Sequence, residues 1–486
     1  MIEKTFRVSE THDICQLDAA SLTEAYREGR LSPVEVATAT LDRAEQVQSQ
    51  LSAFTFLDRE GALSAARAAE TRWRDGVPRS AIDGVPTTLK DIVHVANWSV
   101  RYGSRVTEDL PFGDDAPAVA GLRDAGAVFI GQTTMPEFGW KAVTDSALCG
   151  ITRNPWNADV TPGGSSGGAA VAAACGAGVL HLGTDGGGSI RIPASFTGTV
   201  GHKPTFGRIP AYPPSAFGTV AHIGPMTRTV GDAIIMLTAM ARRDTRDWTQ
   251  PPMAFPNLTA SAMSWTGKRI GYWKTPIVGA VCPGVACAIE AVLDDLETAG
   301  AEIHEVALPY REDLLEVFYR HWYVGAANRL STIPLAARTA LEPGFLDAAE
   351  IGERYSAVDR MWAEGRRAQY GAAMDGLLID FAFIMSPTVP ILPFAAGRDV
   401  PDGSGLKSWV EWSSFSFPIN LSQQPACSVP CGFTPDGLPI GLQIIGARGD
   451  DAGVLSAALA YEQLYPNRFL TPGRTWPKLM GERNRS

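Results

Sequence analysis

Two clusters of glycine and serine lie close together in the chain and have the residue types of an acyl-transfer site. The first is GGSSGG at 163–168, and the second is TDGGGS at 184–189. Glycine leaves nearby backbone N–H groups unshielded, and a serine hydroxyl beside such donors provides a nucleophile next to a developing oxyanion. A helix beginning near Ser189 would add positive potential. These clusters are therefore the first candidates for chemistry.

Two other interpretations explain the clusters less well. Flexible loops are the usual result of one glycine-rich stretch, but here two such clusters flank what is predicted to be an apolar strand. A nucleotide-binding loop would need GxxxxGK[ST], which is absent, and the segment 176–181 ends in His181 where GxGxxG has glycine. The spacing thus speaks against a nucleotide site.

A third alternative is the GxSxG nucleophile elbow of α/β-hydrolases, which Gly163, Ser165 and Gly167 match. That fold places its catalytic histidine late in the chain. None of the seven histidines lies beyond His321. The elbow match is therefore weak, and the general base must be a residue of another type.

The best alternative base is Lys90, which stands alone in the apolar segment GVPTTLKD at 84–91. A lysine is more often a solvated surface residue. Buried beside the glycine–serine loops, however, its pKa would fall by up to several units, because desolvation disfavours the charged amine.

These segments resemble those of the amidase signature family, and the resemblance extends over about residues 17–465. It is carried by segments spread along the chain, namely GVPTTLKD at 84–91, MPEFGW at 135–140, TPGGSSGG at 161–168, TDGGGSIRIP at 184–193, GHKPTFGRIP at 201–210, GPMTRTVGDA at 224–233 and LPIGLQIIG at 438–446. Ser165 and Ser189 are also 24 positions apart, which is the family's spacing between its two catalytic serines.

The resemblance implies a Ser–cisSer–Lys triad. Ser189 would be the nucleophile, Ser165 the bridging serine with a cis peptide bond to Gly164, and Lys90 the neutral base. The N–H groups of Gly186, Gly187, Gly188 and Ser189 would form the oxyanion hole.

Further residues are implied to support the site or to bind substrate. Asp185 and Arg191 would brace the loop as an ion pair, and Ser166 would support Lys90 by hydrogen bonding. The candidate substrate-binding residues are Met135, Gly139, Gly164, Trp409 and Phe415.

Three positions depart from the family's usual pattern. Gly131–Thr134 reads GQTT where GKTN is frequent, and Gln423 stands where a glycine is frequent. Members that draw ammonia from glutamine for tRNA-linked amidation have an aspartate seven residues before an asparagine, here Asn420. This chain has Ser413 at that position. The third departure argues against a glutamine-handling subunit.

The elements that must position these residues follow an α/β pattern, with short apolar strands alternating with helices. The expected fold is the amidase signature fold, with a mixed, twisted central sheet covered by helices on both faces. We expect one domain over 1–486: a helical layer at 15–75, a catalytic core at 80–235, a variable helical insertion at 240–380, and C-terminal strands and a helix at 381–470. The proline-rich segment 245–265 is predicted to be an irregular surface connection.

Composition excludes several classes of function. The net charge of −10 and pI near 5.3 argue against nucleic-acid or anionic-membrane binding. The start of the chain has no apolar signal segment, and no apolar run is long enough to span a bilayer. Seven scattered cysteines suggest free thiols in a reducing cytoplasm. No HExxH motif or clustered metal ligands are present, so no metal or other cofactor is expected.

The predicted function is hydrolysis of the C–N acyl bond of a small neutral amide, anilide or carbamate (urethane) through a Ser189 acyl-enzyme. The partner would be a small-molecule substrate, and the chain a monomer or homodimer. Two alternatives stay open: the chain is part of a glutamine amidotransferase, as one of its subunits, or it is a non-catalytic amidase-like binding protein. The complete set of Lys90, Ser165 and Ser189 counts against the second.

Overall fold

A mixed sheet of eleven strands runs through the computed structural model, which describes residues 14–251, 260–470 and 476–479. Its strand order is β1-β3-β2-β6-β8-β7-β12-β13-β11-β9-β10, and helices flank it. The expected α/β class is therefore confirmed. The first thirteen residues, on which the signal-peptide prediction rests, lie outside the described residues, as do residues 252–259 of the proline-rich segment 245–265.

The strands are short, and β4 and β5 form a separate two-stranded sheet. Their bounds are β1 Phe54–Leu57, β2 Pro86–Lys90, β3 Val128–Thr133, β4 Asp145–Ser146, β5 Gly150–Ile151, β6 Leu180–Asp185, β7 Val200–Lys203, β8 His222–Thr227, β9 Arg269–Tyr272, β10 Glu302–Glu305, β11 Phe383–Pro387, β12 Ala426–Phe433 and β13 Pro439–Ile445.

The helices lie before, between and after these strands. Their bounds are α1 Ala19–Arg27, α2 Pro33–Leu51, α3 Arg59–Arg74, α4 Pro117–Asp124, α5 Gly167–Cys175, α6 Arg191–Thr197, α7 Val230–Met240, α8 Pro283–Thr298, α9 Leu314–Ser331, α10 Pro343–Glu353, α11 Ala357–Asp380, α12 Trp409–Trp412, α13 Phe417–Ser422 and α14 Asp451–Leu464. Within the described ranges, none is both long and apolar enough to cross a membrane.

Several helix ends follow from their sequences. Ser32 and Glu35 form a reciprocal capping box at the start of α2, with Pro33 in the first turn, as the sequence indicates. At the start of α14, Asp450 accepts a hydrogen bond from the Gly453 N–H and caps the helix from one side only. These caps satisfy backbone donors that the first helical turn leaves without partners.

The structure differs from the expected element pattern in three places. Between the two glycine–serine clusters lies a helix, α5, and then a strand, β6, instead of a strand alone. Every residue of α5 is buried, so the segment has no polar face and shows no helical periodicity. The expected helical segments 15–75 and 240–380 also contribute β1, β9 and β10 to the central sheet. All three strands have only four residues.

Two parallel neighbours in the sheet, β2 and β6, position the candidate site. Thr87 pairs with Leu180 and Leu89 with Leu182, so the carboxyl ends of both strands reach the same edge. Lys90 ends β2 and Asp185 ends β6. The loops that precede α5 and α6 also lie at this edge. The loop before α5 brings Ser165 and Ser166 into contact with Lys90.

Candidate active site

Lys90 lies at the end of β2 within hydrogen-bonding distance of three hydroxyl groups. Its Nζ is 2.7 Å from Ser165 Oγ, 2.9 Å from Ser166 Oγ and 2.9 Å from Thr184 Oγ1. An ammonium group would donate all three bonds, whereas a neutral amine donates two and keeps one lone pair. The surroundings can therefore accommodate both protonation states of this lysine.

Burial sets the electrostatics of Lys90. The residue is fully buried, and this desolvation lowers its pKa to about 7, although the nearby negative charge of Asp185 acts in the opposite direction. Its hydrogen-bond partners are hydroxyls and not carboxylates. A substantial fraction of the amine is consequently neutral near pH 7, in the direction expected from the sequence.

Close packing of glycines holds Ser165 in place. The Gly164–Ser165 peptide bond is cis, as the family resemblance implies. A Cβ atom on Gly164 would lie 2.5 Å from the carbonyl carbon of Val143, so no larger residue fits there. A Cβ on Gly139 would lie 3.4 Å from both Ser165 Oγ and the Met135 methyl carbon. Met135, Gly139 and Gly164 are thus all close to Ser165.

The loop after β6 carries Ser189 and is held by Asp185. One oxygen of this carboxylate accepts from the Gly188 N–H at 2.7 Å, and the other accepts from the Ile190 N–H at 3.2 Å. The Ser189 carbonyl accepts from the Ser166 N–H at 3.2 Å. This last bond ties the loop to the serine cluster around Lys90.

The same loop corrects one sequence expectation. The Gly188 N–H already donates to Asp185, so it is not free to contact an oxyanion. The N–H groups of Gly186, Gly187 and Ser189 donate to no group in the described part of the chain. They are the donors still available for a substrate oxygen.

Arg191 lies behind the loop, fully buried, and pairs with Asp185. Its Nε and Nη2 lie 2.9 Å from the two carboxylate oxygens. Burial alone would raise the pKa of Asp185, but the Arg191 charge holds that pKa well below its usual range. Asp185 therefore stays ionised and keeps the loop in place, since an isolated buried charge would be costly.

Two polar side chains that were not predicted as site residues complete this network. Asn420 donates from Nδ2 to Asp185 at 2.8 Å and accepts from Arg191 at 2.6 Å, and Gln443 accepts from Arg191 at 2.6 Å. Each stands in an otherwise mostly apolar element, α13 or β13. A lone buried amide of this kind is the signal that could have identified them.

Aromatic rings pack close to the loop. Cβ atoms on Gly186 and Gly187 would lie 2.8 Å from the Trp322 ring and 2.9 Å from the Phe318 ring. Trp409 is near Gly187 as well, since its ring would lie 3.1 Å from the same Cβ atom. Phe415, in contrast, packs in the core against Trp273 with ring centroids 4.8 Å apart. The structure thus places Trp409, but not Phe415, beside the loop.

The arrangement has the parts that acyl transfer by a serine nucleophile requires. It combines a buried amine, three hydroxyls within hydrogen-bonding distance of that amine, a second serine on a tightly held loop, and N–H donors of this loop that have no partner among the described residues. Among residues 14–251, 260–470 and 476–479, no three histidine, cysteine or acidic side chains form a group that could hold a metal ion.

Comparisons with known proteins find similar sequences over most of the chain. The model of the Amidase family matches residues 35–455. A glutamyl-tRNA(Gln) amidotransferase subunit of Myxococcus xanthus (strain DK1622) is 35% identical over 484 residues, covering 93% of this chain and 97% of that protein.

Solved structures are similar over nearly the full length. A bacterial aryl acylamidase of the amidase signature enzymes family has 29% identity and a TM-score of 0.86, covering 94% of this chain and 97% of the other. 6-Aminohexanoate cyclic dimer hydrolase, complexed with substrate, has 25% identity and a TM-score of 0.84, covering 94% and 99%.

Proposed function

The chain belongs to the amidase family, whose enzymes act on C–N amide bonds, and from that premise we propose that it hydrolyses a small-molecule amide through an acyl-enzyme on Ser189. One observation carries the proposal. Lys90 is fully buried, contacts three hydroxyls and has its pKa lowered to about 7. A lysine in this state is a base at neutral pH, and the hydroxyl at 2.7 Å connects it to the serine cluster.

In the first half-reaction, the Lys90 lone pair takes the proton of the Ser165 hydroxyl while Ser165 takes the proton of Ser189. The Ser189 oxygen then bonds to the substrate carbonyl carbon, and the negative oxygen is held by the N–H groups of Gly186, Gly187 and Ser189. The Lys90 ammonium returns a proton through Ser165 to the leaving nitrogen. The C–N bond breaks, and an amine leaves.

In the second half-reaction, water takes the place of the amine. Lys90, neutral again, accepts the proton of this water through Ser165, and the hydroxide adds to the acyl carbon. The proton returns to the Ser189 oxygen as the ester bond breaks, so the carboxylic acid leaves and the enzyme is restored.

For the substrate, we propose a group that is uncharged at the scissile bond: an amide, an anilide or a carbamate. Trp322, Phe318 and Trp409 surround the loop that carries the oxyanion donors. A charge brought next to these rings without a partner would lose hydration and gain nothing, whereas apolar area gains about 25 cal/mol per Å² on burial. Under this proposal the chain is a cytoplasmic monomer or homodimer that needs no cofactor.

A second candidate is the glutamine-hydrolysing subunit of a tRNA-dependent amidotransferase. It is favoured by the 35% identity to such a subunit over almost the whole chain. Against it stands Ser413, which is fully buried and donates to the Val410 carbonyl at 3.0 Å, where the resemblance calls for an aspartate. A neutral, internally bonded hydroxyl offers no counter-charge for a glutamine ammonium group.

A direct assay separates the two candidates. The purified chain alone is given 4-nitroacetanilide, a phenyl carbamate, hexanamide and glutamine, with a Ser189→Ala variant as the blank. We expect an aryl substrate to have the highest kcat/KM. Ammonia release from glutamine that exceeds the other rates tenfold, or that requires added partner subunits, would support the second candidate instead.

A further inference from the structure

Arg329, on α9, is a half-buried cation held between two aromatic rings. Its guanidinium carbon lies 4.9 Å from the centroid of the Tyr102 ring and 4.5 Å from that of Phe138. Among the residues that the structure describes, its buried Nε has no hydrogen-bond partner and no carboxylate forms an ion pair with it. The side chain is thus held by two ring faces while its Nε–H donor remains unused.

Arg329 and the two residues whose rings contact it, Tyr102 and Phe138, line a cavity of about 360 Å³. Its other walls are mostly apolar and include Val100, Leu110, Phe112 and Ile333. Glu108 is the one acidic residue among the described residues of the wall, and its side chain is exposed. We call this space the Arg329 cavity. It combines a single positive group with an apolar body large enough for a substituted benzene ring.

Backbone hydrogen bonds connect two residues that line the Arg329 cavity, Tyr102 and Phe138, to the segments that carry the candidate active site. Asp91 directly follows Lys90 and accepts hydrogen bonds from the N–H groups of Arg101 and Gly103, on either side of Tyr102. The Phe138 N–H donates to the Tyr102 carbonyl at 2.8 Å. Phe138 is in turn followed by Gly139, which packs near Ser165 Oγ. Both rings that hold Arg329 are therefore anchored to backbone that also frames the proposed triad.

Arg320, on the same helix, shows what a purely structural arginine looks like here. It also lies over an aromatic ring, with its guanidinium carbon 4.2 Å from the Trp362 centroid, but it pairs with Glu316 at 3.0 Å as well. Arg329 has the ring contacts without the carboxylate. A guanidinium presents parallel N–H donors that match a carboxylate, and a partly desolvated pair of this kind is strong.

We propose that the Arg329 cavity is a subsite for an organic carboxylate, and that this carboxylate is carried by the end of the substrate remote from the scissile bond. The carboxylate would pair with Arg329, and the apolar body would pack on Tyr102, Phe112 and Phe138. Its assignment to the substrate rests on the proposed function. The substrate would thus be neutral at the bond that is cleaved and anionic at its far end.

A binding experiment tests the subsite without requiring turnover. The Ser189→Ala protein is titrated with 4-acetamidobenzoate and with the uncharged 4-methylacetanilide, followed by ligand-observed NMR. We expect the Ser189→Ala protein to bind 4-acetamidobenzoate more tightly than 4-methylacetanilide. In the double variant with Arg329→Gln, the affinity for 4-acetamidobenzoate should fall at least tenfold, while the affinity for 4-methylacetanilide should change little. The double variant with Arg320→Gln is the matched control, and both of its affinities should stay unchanged. Absence of carboxylate binding, or equal binding to the Arg329→Gln protein, would overturn the subsite.

A kinetic experiment tests whether the subsite serves the reaction. The ratio of kcat/KM for 4-acetamidobenzoate to that for 4-methylacetanilide is measured in the active protein and in Arg329→Gln. The two anilides differ in intrinsic reactivity, but this difference is the same for both proteins. A change in the ratio between the two proteins therefore reports how the carboxylate is recognised. We expect at least a tenfold fall. An unchanged ratio overturns the substrate assignment. If neither anilide is cleaved but binding still depends on Arg329, the subsite is supported and the anilide part of the proposed function fails; if the phenyl carbamate and hexanamide are not cleaved either, the proposed function fails as a whole.

Discussion

Two buried lysines of this chain have opposite electrostatic surroundings. Lys90 is fully buried among hydroxyls, and its pKa falls to about 7. Lys141 is also buried, but its Nζ lies 2.5 Å from Asp145, 3.1 Å from Asp399 and 3.8 Å from Glu342. Burial would lower the pKa of Lys141, yet the three carboxylates raise it above its usual value.

The difference shows that burial alone does not keep a lysine amine neutral, and thus able to accept a proton, near pH 7. What matters is burial without a carboxylate in contact, because each acid partner stabilises the ammonium form. Three carboxylates offset the charge of Lys141, whereas Lys90 has only neutral hydroxyls as hydrogen-bond partners. At the same edge of the sheet the chain also gives Asp185 an arginine, so the negative charge that acts on Lys90 is already paired.

The largest expected effect comes from removing the group that Lys90 is proposed to activate. Ser189→Ala should lower kcat by roughly 10⁴- to 10⁶-fold with the fold intact, because only the oxyanion donors and binding contacts remain. Circular dichroism and a thermal melt control for folding. A sulfonyl or phosphonyl reagent should add its mass at Ser189, as read by peptide mass spectrometry. Labelling at Ser165 would contradict this assignment and support the nucleophile-elbow interpretation.

The next effect tests the comparison of the two lysines directly. Lys90→Arg should lower kcat/KM by roughly 10³- to 10⁴-fold, since a guanidinium does not give up its proton and general-base catalysis is lost. Lys141→Arg is the matched control. It keeps the positive charge that its three acidic neighbours require and should change kcat/KM by less than about threefold. Comparable losses of kcat/KM in both variants would contradict the assignment of Lys90 as the general base.

The pH dependence of kcat/KM should depend on Lys90 and not on Lys141. The base acts when neutral, so kcat/KM should rise with pH along one limb with a pKa of about 7 and level off above it. At pH 5 only about one Lys90 in 100 is neutral, which predicts activity roughly 100-fold below the plateau. Lys141→Arg should have the same profile, because Lys141 remains charged across this range. A flat profile between pH 5 and 8 would refute Lys90 as the base.

How far the sequence could predict this site depends on how local each interaction is. Lys90, Ser165, Ser166, Asp185 and Arg191 stand in short segments whose glycines and polar residues are conspicuous. The structure brings them to one edge of the sheet, and it forms both the Asp185–Arg191 pair and the Lys90–Ser166 contact.

Other contacts depend on distant parts of the chain and could not be read from such segments. Asn420 and Gln443 reach Arg191 across more than 200 positions. The family resemblance implies four neighbouring N–H groups as oxyanion donors, and only the structure shows that the Asp185 carboxylate accepts a hydrogen bond from one of them, the Gly188 N–H. Phe415 and Trp409 are both aromatic residues of one short segment, and the sequence does not distinguish them. Only the packing shows that Phe415 lies against Trp273 and that Trp409 lies against the loop.

The smallest expected effect concerns Thr184, the third hydroxyl around Lys90, at 2.9 Å. This hydroxyl accepts a bond from Nζ and favours the ammonium more than the amine, because a charge-assisted bond is the stronger one. Thr184→Val keeps the shape and removes the acceptor. The pKa of the acidic limb should therefore fall by about half a unit to one unit, and plateau kcat/KM should fall by about three- to tenfold. Thr184→Ser restores the hydroxyl and should return both values toward those of the unaltered chain. A limb that moves to higher pH in Thr184→Val would show that this hydroxyl stabilises the neutral amine, and the direction of the hydrogen bond between Thr184 and Lys90 would then have to be reversed.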